Sequence, residues 1–257
     1  MRKKQSPRGT ALVTGAARRI GKVIAEGLAN RGWAVAIHCN KSEKNAKAIV
    51  NKIKEAGGRA ALVRADLMIE EEVSNLVEAA TSTLGPITCL INNASAFEYD
   101  NAATVSQASW DLHMAVNLRA PFILAQKMAQ LLPAKKSGNI INIIDQRVWN
   151  PSPNFISYTL SKMALWNLTQ TLAMAFAPQI RVNGIGPGPV LKSKRQSDMD
   201  FKLQWAQLPL ARRVTPDEIS AGICFILDAK AMTGQMIALD SGEHLGWSPN
   251  DRTNLTE

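Results

Sequence analysis

Thr14-Gly15-Ala16-Ala17-Arg18-Arg19-Ile20-Gly21 follows the short apolar run Ala11–Val13 and leads into Ile20, Val23, Ile24, Gly27 and Leu28, which recur at three-and-four spacing. Strand, tight turn and helix in that order make a phosphate-binding unit. Gly15 can take backbone angles that a side chain resists, and Gly21 lets the start of the helix approach the sheet. Free N–H groups at the positive helix end then face an anion. A dinucleotide-binding turn usually has a further glycine between these two. Here Arg19 stands in its place, so a guanidinium replaces open backbone and can reach an anion or a ring carbonyl. Arg18 and Arg19 also admit a plainer reading, a solvated basic turn.

Outward from this unit the same alternation continues. Further strand candidates are Trp33–His38, Ala60–Arg64, Ile87–Ile91, Asn139–Ile144, Ile180–Ile185 and Gln235–Asp240. Between them, Val73/Leu76/Val77/Ala80/Leu84 and Ile219/Ile223/Ile226 carry the stripe of a helix laid on a sheet. Strands that are apolar almost throughout are buried on both faces, which predicts a doubly wound α/β domain with a parallel seven-stranded sheet and helices on both faces. No linker or repeat divides the chain, so residues 9–257 read as one domain. Its ligand is expected at the carboxyl ends of the strands. The stretch 189–215 breaks the rhythm and reads as a substrate lid or, alternatively, as a tolerated surface insertion.

Composition narrows the class. The 257 residues are 46% hydrophobic and 20% charged, the profile of a globular protein with a substantial core, which excludes disordered and fibrous classes. The net charge of +9 hints at a polyanionic partner, but Arg2, Lys3, Lys4 and Arg8 carry four of the nine in a basic tail expected to be disordered over residues 1–8. The rest lacks the basic face with interleaved aromatics that a nucleic-acid module needs. No apolar run reaches the ~18 to 20 residues of a membrane span. Three widely separated cysteines, Cys39, Cys89 and Cys224, suit a reducing, cytoplasmic compartment, and His38, His113 and His244 lack metal-ligand spacing.

The end of the second strand reads Ile37-His38-Cys39-Asn40-Lys41-Ser42. A carboxylate there would accept the ribose 2′-hydroxyl of NAD and repel a 2′-phosphate; none occurs before Glu43. Lys41 and Ser42, with Arg18 or Arg19 nearby, suit a 2′-phosphate, so the expected cofactor is NADPH. Asp66 either accepts from the adenine amino group or caps the helix starting near Ile69. Farther on, Tyr158 and Lys162 stand four residues apart at the opening of a helix, so phenol and ammonium share one face. A cation there lowers the phenol from its reference pKa of about 10 and makes Tyr158 a usable proton donor.

The glycine turn, Asn92-Asn93-Ala94, Asn117, Tyr158-x-x-x-Lys162 and Asn183-Gly184-Ile185-Gly186-Pro187-Gly188 together resemble the short-chain dehydrogenase/reductase family, over essentially the whole chain after the tail. The resemblance implies a Rossmann fold, hydride transfer from a nicotinamide, Lys162 on the nicotinamide ribose, Asn117 supporting a proton-relay water, and a homotetramer. Three departures narrow it: Asp145 where the family usually has serine, Ser95 with Phe97 where glycine is common after the Asn-Asn-Ala, and Arg19. With Tyr158 and Lys162 these resemble the pteridine reductase branch, which includes dihydromonapterin reductases and alternative dihydrofolate reductases. That resemblance implies a pterin or folate substrate held by Arg19, Ser95, Phe97, Asp145 and Tyr158, with Asp145, Tyr158, Lys162 and Asn117 as the catalytic set. It places the cofactor on Gly15, Arg18, Arg19, Ile20, Gly21, His38, Asn40, Lys41, Ser42, Asp66, Leu67, Asn93, Ala94, Ser95, Tyr158, Lys162, Pro187 and Gly188. Phe97 could instead be core and Asp145 a turn cap. A ketone reductase and a non-catalytic cofactor sensor are the competing functions. The segment Glu243–Trp247 closes the pocket or serves an oligomer interface, and Lys192, Lys194 and Arg195 are left without a role.

Overall fold

The structure, a computed structural model, describes residues 8–246. Seven parallel strands form one sheet: β1 (Thr10–Val13), β2 (Ala34–Cys39), β3 (Ala60–Arg64), β4 (Ile87–Asn92), β5 (Gly138–Ile143), β6 (Ile180–Pro187) and β7 (Met236–Leu239). Their order is β3-β2-β1-β4-β5-β6-β7. The chain winds outward from β1 in one direction and from β4 in the other, so a crevice opens where these two neighbours part at their carboxyl ends.

Successive residues of a strand point to opposite faces, and each face has its own core. Ala11 and Val13 pack among Ile24 and Leu28 of α1 (Arg19–Asn30), Ile49 and Ile53 of α2 (Glu43–Glu55), and the last helix. Leu12 points the other way, to Val73 and Leu76 of α3 (Glu70–Leu84) and to helices from the middle of the chain. Those are α5 (Ala120–Leu131) and α6 (Ile156–Ala175), and α4 (Gln107–Met114) packs in turn against α6. Each of these fully buried leucines and isoleucines contributes ~1.5–3 kcal/mol. α4 runs into α5 through one π-helical turn, Ala115–Arg119, which contains Asn117.

The 189–215 segment contains a short helix, α7 (Asp198–Ala206), started by a reciprocal cap between Ser197 and Asp200. α8 (Pro216–Asp228) follows, with Pro216 in its first turn and Thr215 and Glu218 capping each other. Of the basic tail, residues 1–7 lie outside the described residues. Arg8 packs on the body: its N–H donates to the Gly32 carbonyl at 3.1 Å and its guanidinium lies 3.6 Å from Asp228. Among the described residues no helix is long and apolar enough to cross a membrane.

Candidate active site

The carboxyl ends of the strands open into a cavity of about 1130 Å³. A smaller one of about 620 Å³ between α1 and α8 holds none of the predicted site residues. Every cofactor position expected from the sequence borders the large cavity, as do Phe97 and Asp145. Asn117 does not border it.

The glycine turn is built as expected and braced by an unexpected partner. Gly15 sits at φ +62°, and its N–H donates to Nδ1 of His38 at 3.1 Å. Nε2 of the same ring lies 3.0 Å from the Ala65 carbonyl, so Nε2 carries the hydrogen. Burial lowers the His38 pKa and keeps the ring neutral. With both nitrogens spent inside the protein, His38 supports the turn rather than offering a charge to a phosphate. A Cβ on Gly21 would lie 2.4 Å from the Gly15 carbonyl oxygen and 2.5 Å from Nδ2 of Asn93, so the helix start comes as close as the sequence requires. Asn93 in turn holds the Thr14 carbonyl at 2.8 Å, tying the turn to the segment after β4.

Arg19 takes φ +54°, the left-handed region in which a glycine would be at ease, so the residue that replaced the third glycine still adopts a glycine's backbone. Its guanidinium donates to the carbonyls of Leu191 and Lys192 at 3.1–3.2 Å, linking the turn to the 189–215 segment. Around the 2′-phosphate position expected from the sequence, Lys41 is exposed and Ser42 starts α2 without capping it with its side chain. The cap reading of Asp66 is corrected: Ile69 is the N-cap of α3, and Asp66 accepts from the Met68 N–H at 3.0 Å in the turn before it.

At the other end of the cavity, the Tyr158 hydroxyl donates to Oδ2 of Asp145 at 2.7 Å, while Oδ1 accepts the Arg147 N–H at 2.9 Å. Asp145 thus caps the turn Gln146–Val148 with one oxygen, as the plainer reading expected, and faces the tyrosine with the other. Lys162 is 2% exposed, donates to the Ile143 carbonyl at 2.8 Å, and lies 5.7 Å from the centre of the Tyr158 ring. Burial brings its pKa down to about 8, against the opposing charge of Asp145. The Asn117 side chain is fully engaged: Oδ1 accepts from the Ala96 N–H at 2.8 Å and from Ser95 Oγ at 3.1 Å, and Nδ2 donates to Ala96 and Ser161 at 3.0 Å. It anchors the segment that carries Ser95 and Phe97.

Phe97 is half-buried. One face stacks on Phe155, with ring centres 4.5 Å apart and planes 10° from parallel, and Tyr158 meets it edgewise at 4.6 Å. The guanidiniums of Arg147 and Arg195 lie 5.0–5.9 Å from the centres of the two stacked rings. Phe155, Arg147 and His113 were missed in the sequence. The available signal for His113 was its place one helical turn before Asn117.

Two of the three unassigned basic residues have partners: Lys192 lies 2.7 Å from Asp198, and Arg195 bonds Glu98 at 3.3 Å and the Phe97 carbonyl at 3.2 Å. Lys194 makes no ion pair among the described residues and borders the cavity. So does the buried Glu243, whereas Trp247 lies outside the described residues. Among the described residues no cluster of three or more His, Cys, Asp or Glu is placed to hold a metal ion.

Known proteins resemble this chain over most of its length. An uncharacterized oxidoreductase of Thermotoga maritima is 32% identical over 90% of this chain and 95% of its own length. The 3-oxoacyl-[acyl-carrier-protein] reductase FabG of Staphylococcus epidermidis is 30% identical over 92% and 99%. Among solved structures, FolM alternative dihydrofolate reductase 1 from Brucella canis, complexed with NADP, superposes with a TM-score of 0.92 at 49% identity, covering 97% of this chain and 99% of that one. Its counterpart from Brucella suis, also in complex with NADP, gives 0.91 at 50% identity over 96% and 98%. The family model of the short chain dehydrogenases matches residues 9–201, and the chain belongs to that family.

Proposed function

We propose that the chain is an NADPH-dependent reductase of pterins, converting a 7,8-dihydropterin such as dihydromonapterin or dihydrobiopterin, or dihydrofolate, to the tetrahydro form. The observation that carries this reading is the 2.7 Å contact between the Tyr158 hydroxyl and Oδ2 of Asp145. A serine at the Asp145 position would only donate to a ketone oxygen. A carboxyl can share and return a proton, which suits a ring nitrogen.

The cavity residues fit the cofactor. Gly15 and Gly21 leave no room for side chains where the pyrophosphate would approach, Lys41, Ser42 and Arg18 suit the 2′-phosphate, and Lys162 and Tyr158 suit the nicotinamide ribose. Bound there, NADPH supplies a hydride to C6 of the dihydropterin. Tyr158, directly or through a water, delivers a proton toward N5 from its hydroxyl; the Lys162 cation stabilises the phenolate left behind, and the Asp145 carboxyl, which orients the hydroxyl, takes up a solvent proton and passes it back to the phenolate. The Phe97 face that is not on Phe155 holds the flat ring, and positioning of this kind supplies much of the acceleration. The same reading makes the chain a cytoplasmic homotetramer whose 189–215 segment is the lid; the three buried, unpaired cysteines suit a reducing compartment.

The 30% identity to a 3-oxoacyl reductase supports ketone reduction as the second reading. NADPH consumption followed with dihydromonapterin, dihydrobiopterin, dihydrofolate and an acetoacetyl thioester separates the two. Turnover of the thioester alone overturns the pterin reading.

A further inference from the structure

Behind Phe97 lies a chain of buried polar groups, Asp100, His113 and Ser157, none of which borders the cavity. His113 on α4 and Ser157 on α6 are fully buried, and Asp100, in the segment after β4, is 2% exposed. The Glu98 N–H points at Nε2 of His113 at 3.0 Å. A backbone N–H can only donate, so Nε2 is bare, and a neutral ring then carries its hydrogen on Nδ1. Nδ1 lies 2.7 Å from Oγ of Ser157, which must accept it and pass its own hydrogen to Oδ2 of Asp100, the partner in a close contact. Ser109 donates to the same oxygen at 2.7 Å and the Ser157 N–H to Oδ1 at 3.2 Å. Each donor in the chain has one acceptor, and the direction ends on a carboxylate. Burial lowers the His113 pKa and keeps the ring neutral, against the pull of Asp100. Burial also opposes the charge on Asp100, but the hydrogen bonds from Ser157 and Ser109 outweigh it and hold that carboxyl below its ordinary value.

The three elements joined in this way are those that carry the substrate-side machinery. Glu98 follows Phe97, Ser157 precedes Tyr158, and His113 lies one helical turn before Asn117. The Asp100 carbonyl also accepts the Phe155 N–H at 2.7 Å, holding that residue at φ +57°, a backbone rarely adopted by a bulky side chain, with its ring under Phe97. We propose that Asp100, His113 and Ser157 form a positioning relay that sets the plane of Phe97 against Tyr158, and that His113 is the positioning residue through which the Phe97 segment is held. This rests on the pterin reading, since Phe97 matters only if a flat substrate lies on it.

Two substitutions separate the two hydrogen bonds of the ring. In His113→Asn the amide can still donate to Ser157 but no longer reaches Glu98; in His113→Gln a carbonyl oxygen takes the place of Nε2 and still accepts from Glu98. The Asn variant should raise the dihydropterin KM and lower kcat/KM about tenfold, which is roughly 1.4 kcal/mol, with the NADPH Kd within about twofold of wild type. The Gln variant should recover most of that loss. Wild-type kinetics in the Asn variant, or a Gln variant as impaired as Asn, overturns the proposal. Should either variant fold poorly, ¹⁵N NMR of the wild-type protein decides it: a neutral ring protonated on Nδ1 supports the relay, and one protonated on Nε2 overturns it. If wild-type protein consumes NADPH with no dihydropterin, the reading of the reaction fails, while the tautomer measurement still stands for or against the relay.

Discussion

Asp145 and Arg19 each do two jobs, and substitution can separate them. Asp145→Ser keeps a side-chain oxygen for the Arg147 N–H but removes the carboxyl that faces Tyr158. Pterin turnover should fall by about 10²-fold or more, as for loss of a general acid–base group, while NADPH affinity measured by fluorescence titration stays near wild type. Unchanged pterin kinetics would sink the role given to Asp145. At Arg19, Gly and Ala should behave differently. Both lose the bonds to Leu191 and Lys192, but only glycine relieves a backbone at φ +54°. Arg19→Gly should therefore be more stable than Arg19→Ala by about 1 kcal/mol, measured by denaturant unfolding, with pterin kcat/KM lowered in both.

At the scale of elements, α1 and α8 approach closely at Gly27: a Cβ there would lie 2.3 Å from Oγ of Ser220 but 3.5 Å from its Cβ. Gly27→Ala alone should destabilise by about 1–3 kcal/mol through overpacking. Adding Ser220→Ala removes the obstructing oxygen and leaves an ordinary contact, so the double variant should regain wild-type stability, helped by alanine's better helix propensity. A double variant as unstable as Gly27→Ala would refute that account.

The elements themselves were legible in the sequence. Each of the seven strands lies within two residues of the expected span, because strands buried on both faces leave unbroken apolar runs. Many of the residues bordering the cavity were legible through the glycine turn and the Tyr158/Lys162 spacing, though Arg147, which also borders it, was not. The π turn at Ala115–Arg119 was not, since it adds one residue to a helix without changing its composition. Nor were Phe155 and the His113 relay, whose partners lie up to 57 residues apart and meet only once α4 and α6 are packed.

For the molecule as a whole, the buried Lys162 ammonium sets a pH dependence. Its pKa is lowered to about 8 from 10.5, chiefly by burial, so between those values the unfolded chain binds more protons than the folded one. The contribution of this group to folding stability should therefore rise as pH climbs from about 8 toward 10.5, and be flat below. Activity should move the opposite way, because above about pH 8 the cation beside Tyr158 is lost and kcat/KM falls. Denaturant unfolding and rate profiles over pH 7–10, with Lys162→Met as the control without this titration, check both signs. The large cavity, finally, is bordered by grips on main chain. Arg19 holds the carbonyls of Leu191 and Lys192, and Arg195 reaches back to the carbonyl of Phe97. Every amino acid has that oxygen, so Leu191 and Lys192 can change their side chains without loosening the Arg19 grip. Substrate preference can drift there under selection while the tie to the glycine turn persists, separating what the molecule holds on to from what it reads.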